Sequence, residues 1–97
     1  MSSPPKYVLI IHEVDDYAAW KVGFDEAAGI RRAAGEIEYQ VLRVESEPKR
    51  VVHYSQWSSI DRARGFFESE EVAAIRAKLG VQAPEFLYLE EMESGLV

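Results

Sequence analysis

The run Tyr7–Val14 (YVLIIHEV) is apolar on both of its faces, and no other feature constrains the fold as much. Val8, Ile10, His12 and Val14 form one alternate set; Tyr7, Leu9, Ile11 and Glu13 form the other. A strand with one wet face alternates apolar and polar residues, whereas this pattern belongs to a strand covered on both sides. With 97 residues the chain is one domain. Its helical segments suffice to hide one face of a small sheet. The simplest cover for the other face is a second copy of the same sheet, so the pattern predicts a homodimer joined through sheet faces. A domain this small buries only about two thirds of its unfolded surface, and burial between subunits adds to that.

After the first strand, Asp15 or Asp16 is placed to cap a helix from about Tyr17 to Ala34. Tyr17, Trp20, Phe24, Ala27, Arg31 and Ala34 share one face of it, and Gly35 suits a left-handed position beyond its end. Glu36–Val44 alternates like a strand, Glu45–Lys49 is a turn, and Arg50–Trp57 is the returning strand. Serine 58 or 59 caps a helix with Ile60, Ala63, Phe66 and Phe67. Ser69 begins a second helical piece whose stripe is Val72, Ile75 and Leu79, ended by Gly80. Pro84 opens the last strand, Glu85–Met92. The order βαββαβ predicts an α+β, ferredoxin-like domain over residues 7–97. Strands one and three are expected at its centre as parallel neighbours, with both helices on one face. Residues 1–6 (MSSPPK) read as a disordered lead.

The hairpin register follows if Val44 faces Arg50. Leu42 then meets Val52, Gln40 meets Tyr54 and Glu38 meets Gln56 on one face. Ile37, Tyr39, Val41, His53, Ser55 and Trp57 fall on the other, which is expected to face the helices and any pocket.

These residues carry a family resemblance. Tyr7–Trp20 (YVLIIHEVDDYAAW), Phe24-Asp25, Arg31–Gly35 (RRAAG), Tyr39–Arg43 (YQVLR), Tyr54–Trp57 (YSQW) and Pro84–Glu91 (PEFLYLEE) together resemble the dimeric α+β barrel superfamily. Within it the chain is most similar to the small antibiotic-biosynthesis-monooxygenase-like domains. The resemblance implies two sheets packed face to face and a ligand pocket between each sheet and its own helices. It also implies an activity drawn from cofactor-independent oxygenases, haem-degrading enzymes or isomerases, or none. The stretch Ile60–Ser69 (IDRARGFFES) has no histidine where haem-degrading relatives carry their ligand, which speaks against haem. Trp57 sits at the strand-to-helix junction where some monooxygenase relatives have a pocket tryptophan.

His12 and His53 are the two histidines, and each is a candidate general base near neutral pH. His53 is the stronger candidate, and either ring also reads as a hydrogen-bonded core residue. Arg31 interrupts an apolar helical stripe; it either reaches solvent at the helix end or anchors an anionic ligand. Arg43 is a weaker anchor of the same kind. Trp20, Tyr39 and Trp57, with His53, are the expected wall of an apolar site between sheet and first helix, suited to a small aromatic ligand. The same four residues also read as core.

Other chemistries lack their residues. There is no cysteine and no histidine spacing for a metal, so no metal and no cofactor is expected. A net charge of −6 argues against nucleic acid. No apolar run approaches a membrane span, and the N-terminus lacks a secretory pattern, which fits a cytoplasmic protein. Two functions remain open. One is a cofactor-independent oxygenase acting on an aromatic or polyketide-like molecule. The other is a non-catalytic binding or accessory dimer with the same fold.

Overall fold

The computed structural model describes residues 4–97. The elements are β1 (Lys6–Val14), α1 (Tyr17–Glu26), α2 (Ala28–Ala34), β2 (Glu36–Arg43), β3 (Arg50–Trp57), α3 (Ile60–Phe67), α4 (Glu70–Lys78) and β4 (Val81–Glu90). They build one four-stranded sheet of order β2-β3-β1-β4. This is the ferredoxin-like α+β fold, with β1 and β3 central. The two central strands are antiparallel, not parallel as expected. The α1–α2 crossover makes β1 and β2 parallel; the hairpin then turns β3 back, so it runs against both neighbours. Of the expected N-terminal lead, residues 1–3 lie outside the described residues. The Pro5 carbonyl accepts from the Glu91 N–H, and Lys6 already pairs in β1.

β1 owes its pattern to its place. Val8, Ile10, His12 and Val14 are buried beneath the helices. Tyr7, Leu9 and Ile11 are half-buried on the opposite face, beside exposed Leu42, Leu87 and Leu89. Two apolar clusters fill the space between sheet and helices. One gathers Val8, Ile10, Trp57, Ala63 and Phe67, the other Val14, Trp20, Phe24 and Val51.

Three irregularities shape the helix side. The single first helix expected from its stripe is two, interrupted at Ala27. There the Phe24 carbonyl accepts from the guanidinium of Arg31, a partner that replaces a helical amide. The β2–β3 register is the expected one at Leu42–Val52, Gln40–Tyr54 and Glu38–Gln56. It shifts between Glu36 and Glu38, so Glu36 opposes Trp57 and Ile37 is the extra residue of a bulge. Ile37 is therefore turned out to solvent, 60% exposed, and Glu36 takes the inward position that parity assigns to Ile37. The third irregularity is in β4, which begins at Val81 rather than after Pro84. Its pairing with β1 shifts by one residue near Ala83, whose φ is 46°. An edge strand with a bulge accommodates a proline that a central strand would not.

The joint between α2 and β2 is tight. Gly35 has φ 121°, and its carbonyl accepts from the Ser58 N–H at 2.9 Å. A Cβ at this position would lie 2.6 Å from Ser58 Oγ. Gly35→Ala is expected to lower the unfolding free energy by roughly 1–3 kcal/mol, the cost of a left-handed non-glycine residue. Urea denaturation with an unchanged slope measures it; an unaltered midpoint would contradict the argument.

Candidate functional site

The sheet register brings the two histidines together. His12 opposes Val51 and His53 opposes Ile10, so the rings are diagonal neighbours on the helix-covered face. Above them lies a cavity of about 80 Å³ between the sheet and all four helices. Trp20 and Phe24 of α1, Arg31 of α2, Phe67 of α3 and Arg76 of α4 reach its wall, as do both histidines. The volume is far below the roughly 300–1,000 Å³ of pockets that take drug-sized ligands.

One wall carries a buried ionic relay. Glu36 Oε1 accepts from Arg31 Nε at 2.7 Å, and Glu36 Oε2 meets His53 Nε2 at 2.9 Å. The three side chains are only 4–5% exposed. Burial alone would raise the Glu36 carboxyl, but the hydrogen bonds from His53 and Arg31 more than offset it and hold it below the ordinary carboxylate range. An ionised carboxylate only accepts hydrogen bonds. His53 Nε2 therefore carries the proton that faces Glu36. The Arg31 guanidinium also lies 3.7 Å from the centroid of the Phe24 ring. Phe24 in turn stands edge-on to His53, centroids 4.9 Å apart.

His12 is in a different state. It is 5% exposed, and neither ring nitrogen has a hydrogen-bond partner. Burial, together with the nearby His53 and Arg76, pulls its pKa down from 6.5 to about 4. Arg76 Nη1 is likewise buried without a partner, and burial lowers its guanidinium.

At the cavity's edge between α1 and α4, Leu79 lies directly on Gly23. A Cβ at Gly23 would be 2.3 Å from a Leu79 methyl. Only a glycine lets this side chain seat there.

Of the six residues proposed from sequence, His12, His53, Trp20 and Arg31 reach the cavity wall and Tyr39 and Trp57 do not. Tyr39 is 47% exposed and backs Phe24 and His53 from outside. Trp57 is buried core: its Nε1 donates to Ser55 Oγ at 2.8 Å and its ring packs on Phe66 and Phe67. Arg31 does not reach solvent, and its charge is met by Glu36 rather than left for a ligand. Arg43 is exposed. Glu36 and Arg76 escaped the sequence reading. Glu36 was hidden by the bulge, which reverses its parity. Arg76 had a visible signal, since it shares the face of Val72, Ile75 and Leu79 at helical spacing, a cation in an apolar stripe. Among the described residues no three of His, Cys, Asp or Glu cluster as metal ligands, and no helix is long and apolar enough to cross a membrane.

Two outcomes follow from this electrostatic arrangement. His12 is neutral when folded and readily protonated when unfolded, so the unfolded chain binds the extra proton between pH 6.5 and 4. Its contribution is complete above that window and declines by about 3 kcal/mol as pH falls through it. Glu36, with a lowered pKa, loses stability in the same direction at lower pH. Equilibrium unfolding from pH 7 to pH 4 should show the decline, and His12→Phe should flatten it. Glu36→Ala is expected to cost about 3–5 kcal/mol, because it strands a buried guanidinium; a loss under 1 kcal/mol would refute the relay.

The chain resembles known structures over nearly its whole length. SnoaB, a cofactor-independent oxygenase from Streptomyces nogalater, has a TM-score of 0.76 at 14% identity, with 95% of this chain and 97% of that one covered. The monooxygenase ActVA-Orf6 of Streptomyces coelicolor, in complex with nanaomycin D, gives 0.65 at 19% identity, covering 97% and 93%. Rv0793 of Mycobacterium tuberculosis gives 0.68 at 16%, covering 95% and 99%. At such identities the likeness is one of fold. No curated protein matches the sequence. Residues 15–78, however, match the profile of the antibiotic biosynthesis monooxygenase family, and the match takes in the capped first helix, the bulged β2 with Glu36, His53 and the broken second helix. The chain belongs to the antibiotic biosynthesis monooxygenase family.

Proposed function

We propose that this protein is a cofactor-independent oxygenase for an aromatic or polyketide-like small molecule, with His53 as its base. The observation that carries the reading is the Glu36–His53 pair at 2.9 Å, inside an aromatic-walled cavity. Glu36 fixes the tautomer and stabilises the imidazolium that forms, as a carboxylate does behind a catalytic histidine. His53 Nδ1 takes a proton from an acidic C–H or O–H of the substrate. The resulting anion gives one electron to dioxygen, and the substrate radical and superoxide combine to form a C–O bond. Protonation by the imidazolium and loss of water then turn a CH₂ group and O₂ into a C=O group and H₂O. The substrate supplies all the electrons; the protein supplies the base and a site from which water is excluded. Family membership and the fold shared with SnoaB and ActVA-Orf6 support the same class.

The small cavity favours a second reading, in which the same wall binds a compact ligand without chemistry. Turnover separates the two. Oxygen uptake with anthrone as probe should be saturable and should fall by about 10²–10⁴-fold in His53→Ala. Glu36→Gln should fall in kcat more than it rises in KM. No uptake above buffer, or uptake indifferent to His53, would leave only the binding reading.

The working unit in this proposal is a homodimer. Its support is the open sheet face, where Tyr7, Leu9, Ile11, Leu42, Leu87 and Leu89 form a continuous apolar surface. An obligate interface there would bury about 2,000 Å² in total. Sedimentation at micromolar concentration should give twice 11.0 kDa. A monomer would overturn this part of the proposal.

A further inference from the structure

We propose that His12 and Arg76 form an anion-binding pole in the cavity, separate from the His53 base, and that it accepts the carboxylate of an aromatic ligand. The inference rests on this cavity being the ligand site. The wall includes His12, Arg31, His53 and Arg76 and no acidic residue. Arg31 has its counter-charge in Glu36. Arg76 has no carboxylate partner among the described residues, and its Nη1 is buried and unbonded. His12 has both ring nitrogens unbonded although it is 5% exposed.

Buried polar groups are almost always satisfied, by protein, water or ligand. Here two orphans belong to residues that line the same cavity, and one carries a charge. A group that is already anionic near neutral pH answers both: one oxygen accepts from Arg76 Nη1, the other from the N–H of a neutral His12. A phenol would arrive largely neutral and leave the guanidinium uncompensated; a carboxylate would not. The aromatic wall of Trp20 and Phe24 then takes the ligand's apolar part. At about 80 Å³ the cavity is smaller than the roughly 150 Å³ engineered void that takes benzene, so its wall must give way as the ring enters.

Benzoate and its neutral isostere benzamide are the probes. Calorimetric titration of the intact protein at pH 7.5 should show benzoate binding 10–100-fold tighter, the range of one charge-assisted hydrogen bond. Arg76→Met should bring the ratio to within about threefold, and Arg76→Lys should retain most of it. The wild type gives a readout that needs no variant: the NMR titration midpoint of His12 should rise with benzoate bound and stay put with benzamide. Equal affinities, an unmoved His12 midpoint, or a preference that persists in Arg76→Met overturns the anion pole. Selectivity for benzoate without any anthrone-dependent oxygen uptake would confirm the pole and remove the oxygenase reading, so the two fail separately.

Discussion

The structure turns on one buried carboxylate. Glu36 is held ionised in an apolar interior, which is tolerable only because Arg31 and His53 each place a hydrogen on it. Each partner depends on a local departure from regularity. The bulge after Glu36 turns its side chain inward instead of outward. Gly35, with its positive φ, lets α2 run into β2 with no spacer. The break at Ala27 bares the Phe24 carbonyl for the second half of the Arg31 guanidinium. An uninterrupted helix followed by a regular strand would lose that carbonyl and point Glu36 away. Local strain and irregularity are spent where they assemble a polar group, as is usual near functional sites.

The sheet divides the labour between its faces. Towards the helices β1 presents Ile10 and His12, and β3 presents Val51 and His53, an alternation of apolar and ionisable side chains at the cavity floor. Towards the open side the same two strands present Leu9, Ile11, Val52 and Tyr54, with nothing chemical among them. This apolar patch, rimmed by Glu13, Gln40, Arg50 and Gln56, is costly to leave wet. Buried ionisable groups under the helices and an apolar patch with a polar rim on the bare face are what is expected if one side serves a ligand and the other a second sheet.

Much of this was legible in the sequence, for identifiable reasons. The double-sided pattern of Tyr7–Val14 marked the central strand, and the alternation in Arg50–Trp57 marked its bounds. Capping serines marked the broken second helix, with Ser69 accepting from the Val72 N–H as such a cap does. Counting back from the turn set the hairpin register as far as Glu38. The count failed at the next residue, because a bulge leaves no mark in an alternating string: Ile37 and Glu36 exchange faces with no change in composition. The relative direction of β1 and β3 was misjudged from connectivity alone. His12 and His53 were visible as candidates, but their different states were not. One has a carboxylate and the other nothing, and that difference rests on contacts between residues 17 positions apart in sequence. Trp57 illustrates the opposite error: an aromatic at a suggestive junction is still core when a serine hydroxyl beside it accepts its indole hydrogen.

The cavity's polarity has a consequence for how a substrate would lie in it. On the proposed assignments one end holds a proton acceptor backed by a carboxylate, the other a guanidinium without one. A ligand carrying an acid group and an ionisable C–H or O–H has a single orientation that satisfies both ends. Reversal would place its anion beside Glu36, with only His53 between two negative charges, and leave Arg76 unpaired. Discrimination of this kind comes from the penalty on the wrong pose as much as from the attraction of the right one. Burial, with His53 and Arg76 nearby, keeps His12 neutral in the empty site. A second cation next to Arg76 would repel it in the empty site, whereas a neutral ring still donates one hydrogen and takes on charge only after an anion has arrived. The same pair thus stays compatible with folding when empty and becomes more basic when filled, which couples ligand binding to the protonation of a residue buried in the central strand.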